Sequence, residues 1–146
     1  MTLSEKIRKF FDDNEINFDF QPKEKDDELD SYEAGFKGNN GSFKIRLLVN
    51  EEAEWLLVLG FPQFVVPKKY MDRAILSANH FNSSRLFVIL TIDPEDGEVC
   101  FRMGVHTEES TTPEHVGRAV WTVCNAIDHD TPELMESIFR NNETLN

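Results

Sequence analysis

The sequence predicts an α+β fold, and three features of its hydrophobic pattern carry that prediction. Apolar residues first recur at helical spacing, at Leu3, Ile7, Phe10 and Phe11, then switch at Tyr32 to alternation with polar residues. The turn-forming stretches "GNNG" and "DPEDGE" join runs of strand character, which makes the joined strands antiparallel. Helical patterns fall between groups of strands rather than after each one, so the helices are expected to cover a face of one antiparallel sheet. The expected order is α-β-β-β-α-β-β-α with a short C-terminal helix added, and the sheet has about five strands.

Each element follows from local chemistry. Thr2 and Glu5 have the spacing of a capping box ahead of a first helix that ends near Asp13. Residues 23–30, "KEKDDELD", hold too little apolar surface to bury and read as a solvated linker or the irregular start of a strand. Tyr32, Ala34 and Phe36 form one alternating strand, and Phe43, Ile45, Leu47 and Val49 form the next. Between them, glycines supply positive φ. "WLLVLGF" is apolar on both faces, as a central strand would be, and Gly60 and Pro62 end it. Pro67 opens a middle helix over residues 68–82, because proline loses no hydrogen bond in a first helical turn. "RLFVILTI" and "EVCFRMGV" are the fourth and fifth strands. Thr112 then caps a helix with Pro113 at its first position and an apolar stripe of Val116, Val120, Val123, Cys124 and Ile127. A second Thr-Pro-Glu, at residues 131–133, predicts a separate last helix, and residues 140–146 are expected to fray. One domain is expected over residues 1–146.

Composition narrows the partners. The 27 carboxylates against 15 Lys and Arg give a net charge of −12, which repels nucleic acid and anionic membrane surfaces, so neither is an expected partner. No apolar run approaches the roughly 20 residues of a membrane-spanning helix. The two cysteines lack CxxC spacing and no secretory signal opens the chain, which predicts a reducing, cytoplasmic setting.

The motifs that would carry chemistry fail on inspection. A calcium loop ending its turn at Gly97 would need oxygen ligands where Ile92 and Pro94 stand, and a glutamate where Met103 stands. Cys100 is six residues from His106 along one strand, about 20 Å, too far for the imidazole to activate it. Cys124 lies on an apolar helical stripe and reads as a core residue. His80, His106, His115 and His129 have neither helical pair spacing nor a nearby cysteine for a zinc set, and "DHD" at residues 128–130 reads as a solvated connector. Phosphate-cradling and nucleophile-elbow glycine motifs do not occur. The expectation is therefore no catalytic residue, no cofactor and no metal. Trp55 and Trp121 read first as core aromatics, with a partner groove as the sharper reading for Trp121.

In "ANHFNSSRLFVILTIDPEDGEVCFRMGV", Asn79 and Asn82 end a helix, a strand follows, a turn runs from Asp93 to Gly97, and another strand follows. This pattern, with the order of elements over residues 4–127, resembles the YbjN-type family of bacterial sensory-transduction regulators. The resemblance implies a fold similar to the type III secretion chaperones, a helix-bearing antiparallel sheet that often pairs into a homodimer. It brings no catalytic residues. Asn79 and Asn82 match the family's paired asparagines, whose amides suit a structural role at a helix C-terminus, satisfying free carbonyls and fixing the path into the next strand. Pro94 departs from the family's turn, which is richer in Asp and Gly.

The expected function is a non-enzymatic regulator or adaptor that binds a protein partner. The alternative is a chaperone-like holder of an extended polypeptide, and a metal sensor or enzyme ranks below both. A homodimer is expected, because an apolar helix face or sheet edge left uncovered would be buried by a second copy. Val116, Val120, Trp121 and Ile127 are the expected partner or dimer face.

Overall fold

A computed structural model describes residues 1–25 and 29–140. The linker reading of residues 23–30 falls partly, and the frayed-tail reading almost wholly, outside the described residues. Along the chain come α1 (Leu3–Asp13), β1 (Asp19–Gln21), β2 (Asp30–Gly38), β3 (Gly41–Asn50), β4 (Trp55–Pro62), a 3₁₀ turn (Lys68–Tyr70), α2 (Met71–Ser83), β5 (Ile89–Ile92), β6 (Val99–His106) and α3 (Pro113–Phe139). The strands form one antiparallel sheet in the order β1-β2-β3-β4-β6-β5. This is the α+β architecture the periodicity predicts, with β4 central.

Local sequence explains where the elements begin. Thr2 Oγ1 accepts from the Glu5 N–H at 3.1 Å while Glu5 Oε1 accepts from the Thr2 N–H, closing the capping box of α1. Two more free amides at that end, Leu3 and Ser4, donate to the Glu51 carboxylate, which ties α1 to the turn after β3. The β2–β3 hairpin closes at Gly38 and Gly41, the latter at φ +135, leaving Asn39 and Asn40 as its tip. Thr112 caps α3 by accepting from the His115 N–H at 3.2 Å, with Pro113 next.

All three helices pack on one face of the sheet. Phe11 of α1 meets Tyr32 of β2, Phe81 of α2 stands edge-on to Phe101 of β6, and α3 crosses β4 at Gly60. A Cβ on Gly60 would overlap Ile127 and Val123, so the glycine read as a strand end also lets the helix approach the strand closely. The inward positions of β3 and β4, Phe43, Ile45, Leu47, Val49, Leu56 and Val58, are buried in one cluster with Ile7, Phe11, Val120 and Val123.

Three local features differ from the sequence reading. β1 is an additional short edge strand, held by its pairing with β2 and by Phe20 packed against Tyr32 with ring centroids 4.8 Å apart. "RLFVILTI" enters the sheet only at Ile89, which leaves Leu86 and Phe87 outside it. The separate last helix is absent, because α3 runs unbroken through Pro132. Proline at that position removes the amide that would bond the Asp128 carbonyl one turn earlier. Asn40 takes its place: its Nδ2 donates to Asp128 O at 2.8 Å, and Asp128 Oδ1 accepts from the Asn40 N–H at 2.8 Å. The tip of the β2–β3 hairpin thus satisfies the carbonyl that the proline frees.

Candidate protein-binding surface

Because the helices share one face, the other face of the sheet has no helix over it among the described residues. Its residues follow from the register. Glu33, Arg46, Leu59, Arg102 and Ile89 lie side by side across β2, β3, β4, β6 and β5. Beside that row, Leu48 and Leu57 lead to Gly104, and Trp55 pairs with His106. Phe61 completes the outward side of β4. The four outward residues of β4 are Trp55, Leu57, Leu59 and Phe61, and all are half-buried by their neighbours alone. A Cβ on Gly104 would meet nothing within 4 Å, and the bare backbone there floors an open depression of about 440 Å³ between Trp55, Leu57 and His106.

Charge on this face runs against that of the molecule. The outward positions of β3, β4, β6 and β5 carry Lys44, Arg46 and Arg102 and no carboxylate, in a chain with a net charge of −12. At the margin, Glu33 of β2 pairs with Arg46 at 2.9 Å and Lys44 at 3.4 Å. The hydrogen bond from Arg46 holds the Glu33 carboxyl below its usual range, and Lys44 adds to the effect. Arg102 makes no ion pair among the described residues.

A second exposed apolar region lies at the β5 end. Leu86 is 91% exposed and Phe87 66%, with Ile89 on the edge strand and Ile75 and Leu76 on α2 also exposed. The backbone of that edge is partly closed. Asn82 Oδ1 accepts from the Leu90 N–H at 2.8 Å and its Nδ2 donates to Leu90 O at 3.0 Å, the two bonds a neighbouring strand would make. Asn82→Ala would leave both Leu90 groups without partners. It is expected to cost about 1–3 kcal/mol and to speed exchange of the Leu90 amide, measurable by urea unfolding and hydrogen exchange.

The residues singled out from the sequence separate on this framework. Val116, Val120 and Ile127 are buried under the sheet and offer no free surface. Trp121, 39% exposed, stands edge-on to Phe10 and Phe36, each at 5.7 Å. Asn82 joins α2 to β5, whereas Asn79 is exposed. In the acidic turn, Asp93 Oδ1 accepts from the Glu95 N–H and Asp96 Oδ1 from the Glu98 N–H, both at 2.8 Å, so these carboxylates organise backbone. Gly97 has φ +76 and packs against the Val66 backbone. Among the described residues no group of three His, Cys, Asp or Glu side chains is placed to hold a metal ion.

The thiols are placed for low reactivity. Burial pushes the Cys100 thiol up, with Arg102 pulling partly the other way, and burial pushes Cys124 up to about 12. A raised thiol holds its proton longer in the folded chain, so the thiolate fraction at neutral pH is below that of a free cysteine. Iodoacetamide should therefore label both residues slowly at pH 7.5, and rapidly once urea unfolds the chain. Fast native labelling of Cys100 would contradict this assignment. The same shift makes stability fall as pH rises from the ordinary thiol value of 9.0 toward 12, because the unfolded chain loses its Cys124 proton first.

A family model matches residues 4–136, from the start of α1 well into α3, under the description "YbjN: Putative bacterial sensory transduction regulator". The chain belongs to the YbjN family. The crystal structure of the ExsC–ExsE complex matches this YbjN protein with a TM-score of 0.59 at 15% identity, covering 92% of this chain and 97% of the other. At that identity the likeness is one of fold. Among curated proteins, none matches the sequence. No helix among the described residues is long and apolar enough to cross a membrane.

Sequence reasoning missed the outward sheet face. Its signal was "WLLVLGF", apolar on both sides of the strand, in a chain whose helices all lie on one side. The basic residues around it are dispersed in sequence, and only the strand register brings them together.

Proposed function

We propose that this YbjN protein is a non-enzymatic adaptor that works by binding a protein partner. The observation that carries the reading is the uncovered sheet face, where half-buried Trp55, Leu57, Leu59 and Phe61 are edged by Lys44, Arg46 and Arg102 in an otherwise acidic molecule. Apolar surface rimmed by polar groups is the usual mark of an interaction site. The raised thiols and dispersed histidines support a binding role over a catalytic one, and two free cysteines fit a reducing cytoplasm. Purification at native abundance followed by mass spectrometry tests the proposal. The expected result is one stoichiometric protein partner, and a folded, stable protein recovered alone from its source cells would refute it.

A second reading, a holder of an extended polypeptide client, is favoured by the likeness to a structure that is itself a complex of two proteins. It differs in outcome: deleting the protein would lower the soluble level of one client, whereas an adaptor's partner would stay soluble.

A homodimer forms part of the proposal. Leu86, Phe87 and Ile89 at the β5 end are the surface a second copy would cover, in a self-complementary pairing about a two-fold axis. Asn82 already occupies the Leu90 backbone groups, which favours side-chain packing there over strand addition. Light scattering at tens of micromolar should give twice the chain mass for the native protein and the single mass for Phe87→Glu. A monomeric native protein would remove the dimer.

A further inference from the structure

Resting on the adaptor reading, we infer that the uncovered sheet face receives an amphipathic α-helix of the partner, lying along β4 with acidic side chains on both flanks of its apolar stripe. Two physical arguments lead to this occupant. The first concerns backbone groups. β3, β4 and β6 are interior strands whose N–H and C=O groups are engaged with one another. The floor is therefore made of side chains, and an extended segment pressed onto it would bury its own amides and carbonyls against Leu57, Leu59 and Phe61 without partners. A helix satisfies those groups internally and presents only side chains.

The second argument is the spacing of charge. Arg46 and Arg102 flank Leu59 on the two neighbouring strands, so they stand about 10 Å apart across β4. A helix is roughly 10–12 Å wide with its side chains. One seated over Leu57, Leu59 and Phe61 would have Arg46 along one flank and Arg102 along the other, with Lys44 continuing the first. Carboxylates on both flanks would meet cations, while a basic amphipathic helix would face repulsion from both sides. Arg102, without an ion pair among the described residues, is the cation such a flank would engage most directly.

Synthetic peptides test the inference on the full chain. Trp55 lies on the face and Trp121 does not, so Trp121→Phe leaves Trp55 as the sole indole reporter of occupancy. Three probes of about 18 residues are compared: a helix with a Leu stripe and Glu flanks, the same stripe with Lys flanks, and the Glu peptide interrupted by two prolines. The Glu helix is expected to change Trp55 emission and to bind at least about tenfold more tightly than the Lys helix, with affinity falling as salt rises. Combining Arg46→Glu with Arg102→Glu should reverse that preference, with a modest fall in the urea midpoint because the exposed Arg46–Glu33 pair is lost and two carboxylates then face each other across β2 and β3.

Equal binding of the Glu and Lys helices would overturn the charge assignment. Tighter binding of the proline-interrupted peptide would overturn the helix in favour of an extended occupant. Conversion of a dimer to a monomer by Leu59→Asp would show that a second copy takes the face, and would also overturn the inference. A native partner that is still captured by the Arg46→Glu/Arg102→Glu protein overturns this site alone and leaves the adaptor reading standing. A native protein that captures no partner removes the adaptor reading, and the peptide comparison still decides the chemistry of the face.

Discussion

Gly97→Ala is expected to lower stability by about 3–5 kcal/mol, a large share of the roughly 5–15 kcal/mol typical of a natural domain. Two causes act at the same atom. Gly97 has φ +76, where a side chain is disfavoured by about 1–3 kcal/mol, and an added Cβ would overlap the Val66 carbonyl oxygen. That oxygen belongs to backbone, so no rotamer change relieves the overlap. The close approach is itself functional in the fold: Gly97 O accepts from the Val66 N–H at 2.9 Å, and Val65 bridges to Glu98. The connection leaving β4 is thereby pinned to the β5–β6 turn before α2 begins. In urea the midpoint should fall by about 2 M at unchanged slope. Gly35→Ala, where a Cβ meets open space, is the control and should stay within about 0.5 kcal/mol of the native protein. Should the two variants unfold at the same midpoint, the account of the turn fails.

The contrast between Gly97 and the rest of its turn shows what was legible in the sequence. "DPEDGE" announced a turn between strands, and the failed ligand spacing showed that it was no calcium loop. The reason a glycine is required lies in Val66, whose backbone is brought there by the fold and not by any local pattern. The same division holds elsewhere. α1, the β2–β3 hairpin and the start of α3 were readable because caps, turn glycines and alternation act over a few residues. β1 was not, since the alternation of Ile16, Phe18 and Phe20 is short and runs on from α1, and the three-residue strand is fixed by pairing with β2 and by Phe20 against Tyr32. Thr131 and Pro132 resembled a helix start, and α3 passes through them because Asn40, distant in sequence, bonds the freed Asp128 carbonyl. The candidate surface failed in the same way: the stripe of Val116, Val120 and Ile127 was correctly apolar, but periodicity names a buried face without naming what buries it. Here that is the sheet, and the other side of β4 is the face we propose for a partner.

Arg85→Ala carries the second large expected effect, about 3 kcal/mol of lost stability, because it strands a carboxylate between two helices. Asp130 of α3 lies in the cleft between α3 and the C-terminal end of α2, with its side chain 7% exposed. Arg85 reaches it from beyond α2 with two nitrogens, Nη2 at 2.6 Å from Oδ1 and Nε at 3.4 Å from Oδ2, and rests its guanidinium over the Phe81 ring at 4.6 Å. His129 also touches Oδ1, at 3.0 Å, but from a side chain 84% exposed to solvent. Removing the arginine deletes the bidentate partner and the ring contact together. The magnitude sits at the lower end of the range for breaking buried pairs, because Arg85 is itself about one-third exposed and partly screened. Replacing both residues by leucine should be far milder, within about 1 kcal/mol of the native protein, since an apolar pair strands no charge. A double-mutant cycle in urea reads this directly, and a double variant less stable than Arg85→Ala would contradict the assignment. Arg85 immediately precedes Leu86 and Phe87, the surface assigned to a second copy, so the ion pair fixes where that segment leaves α2. Light scattering of Arg85→Ala below its unfolding transition should therefore show a weaker dimer, while the Glu-flanked helical peptide should still bind the β4 face with native affinity.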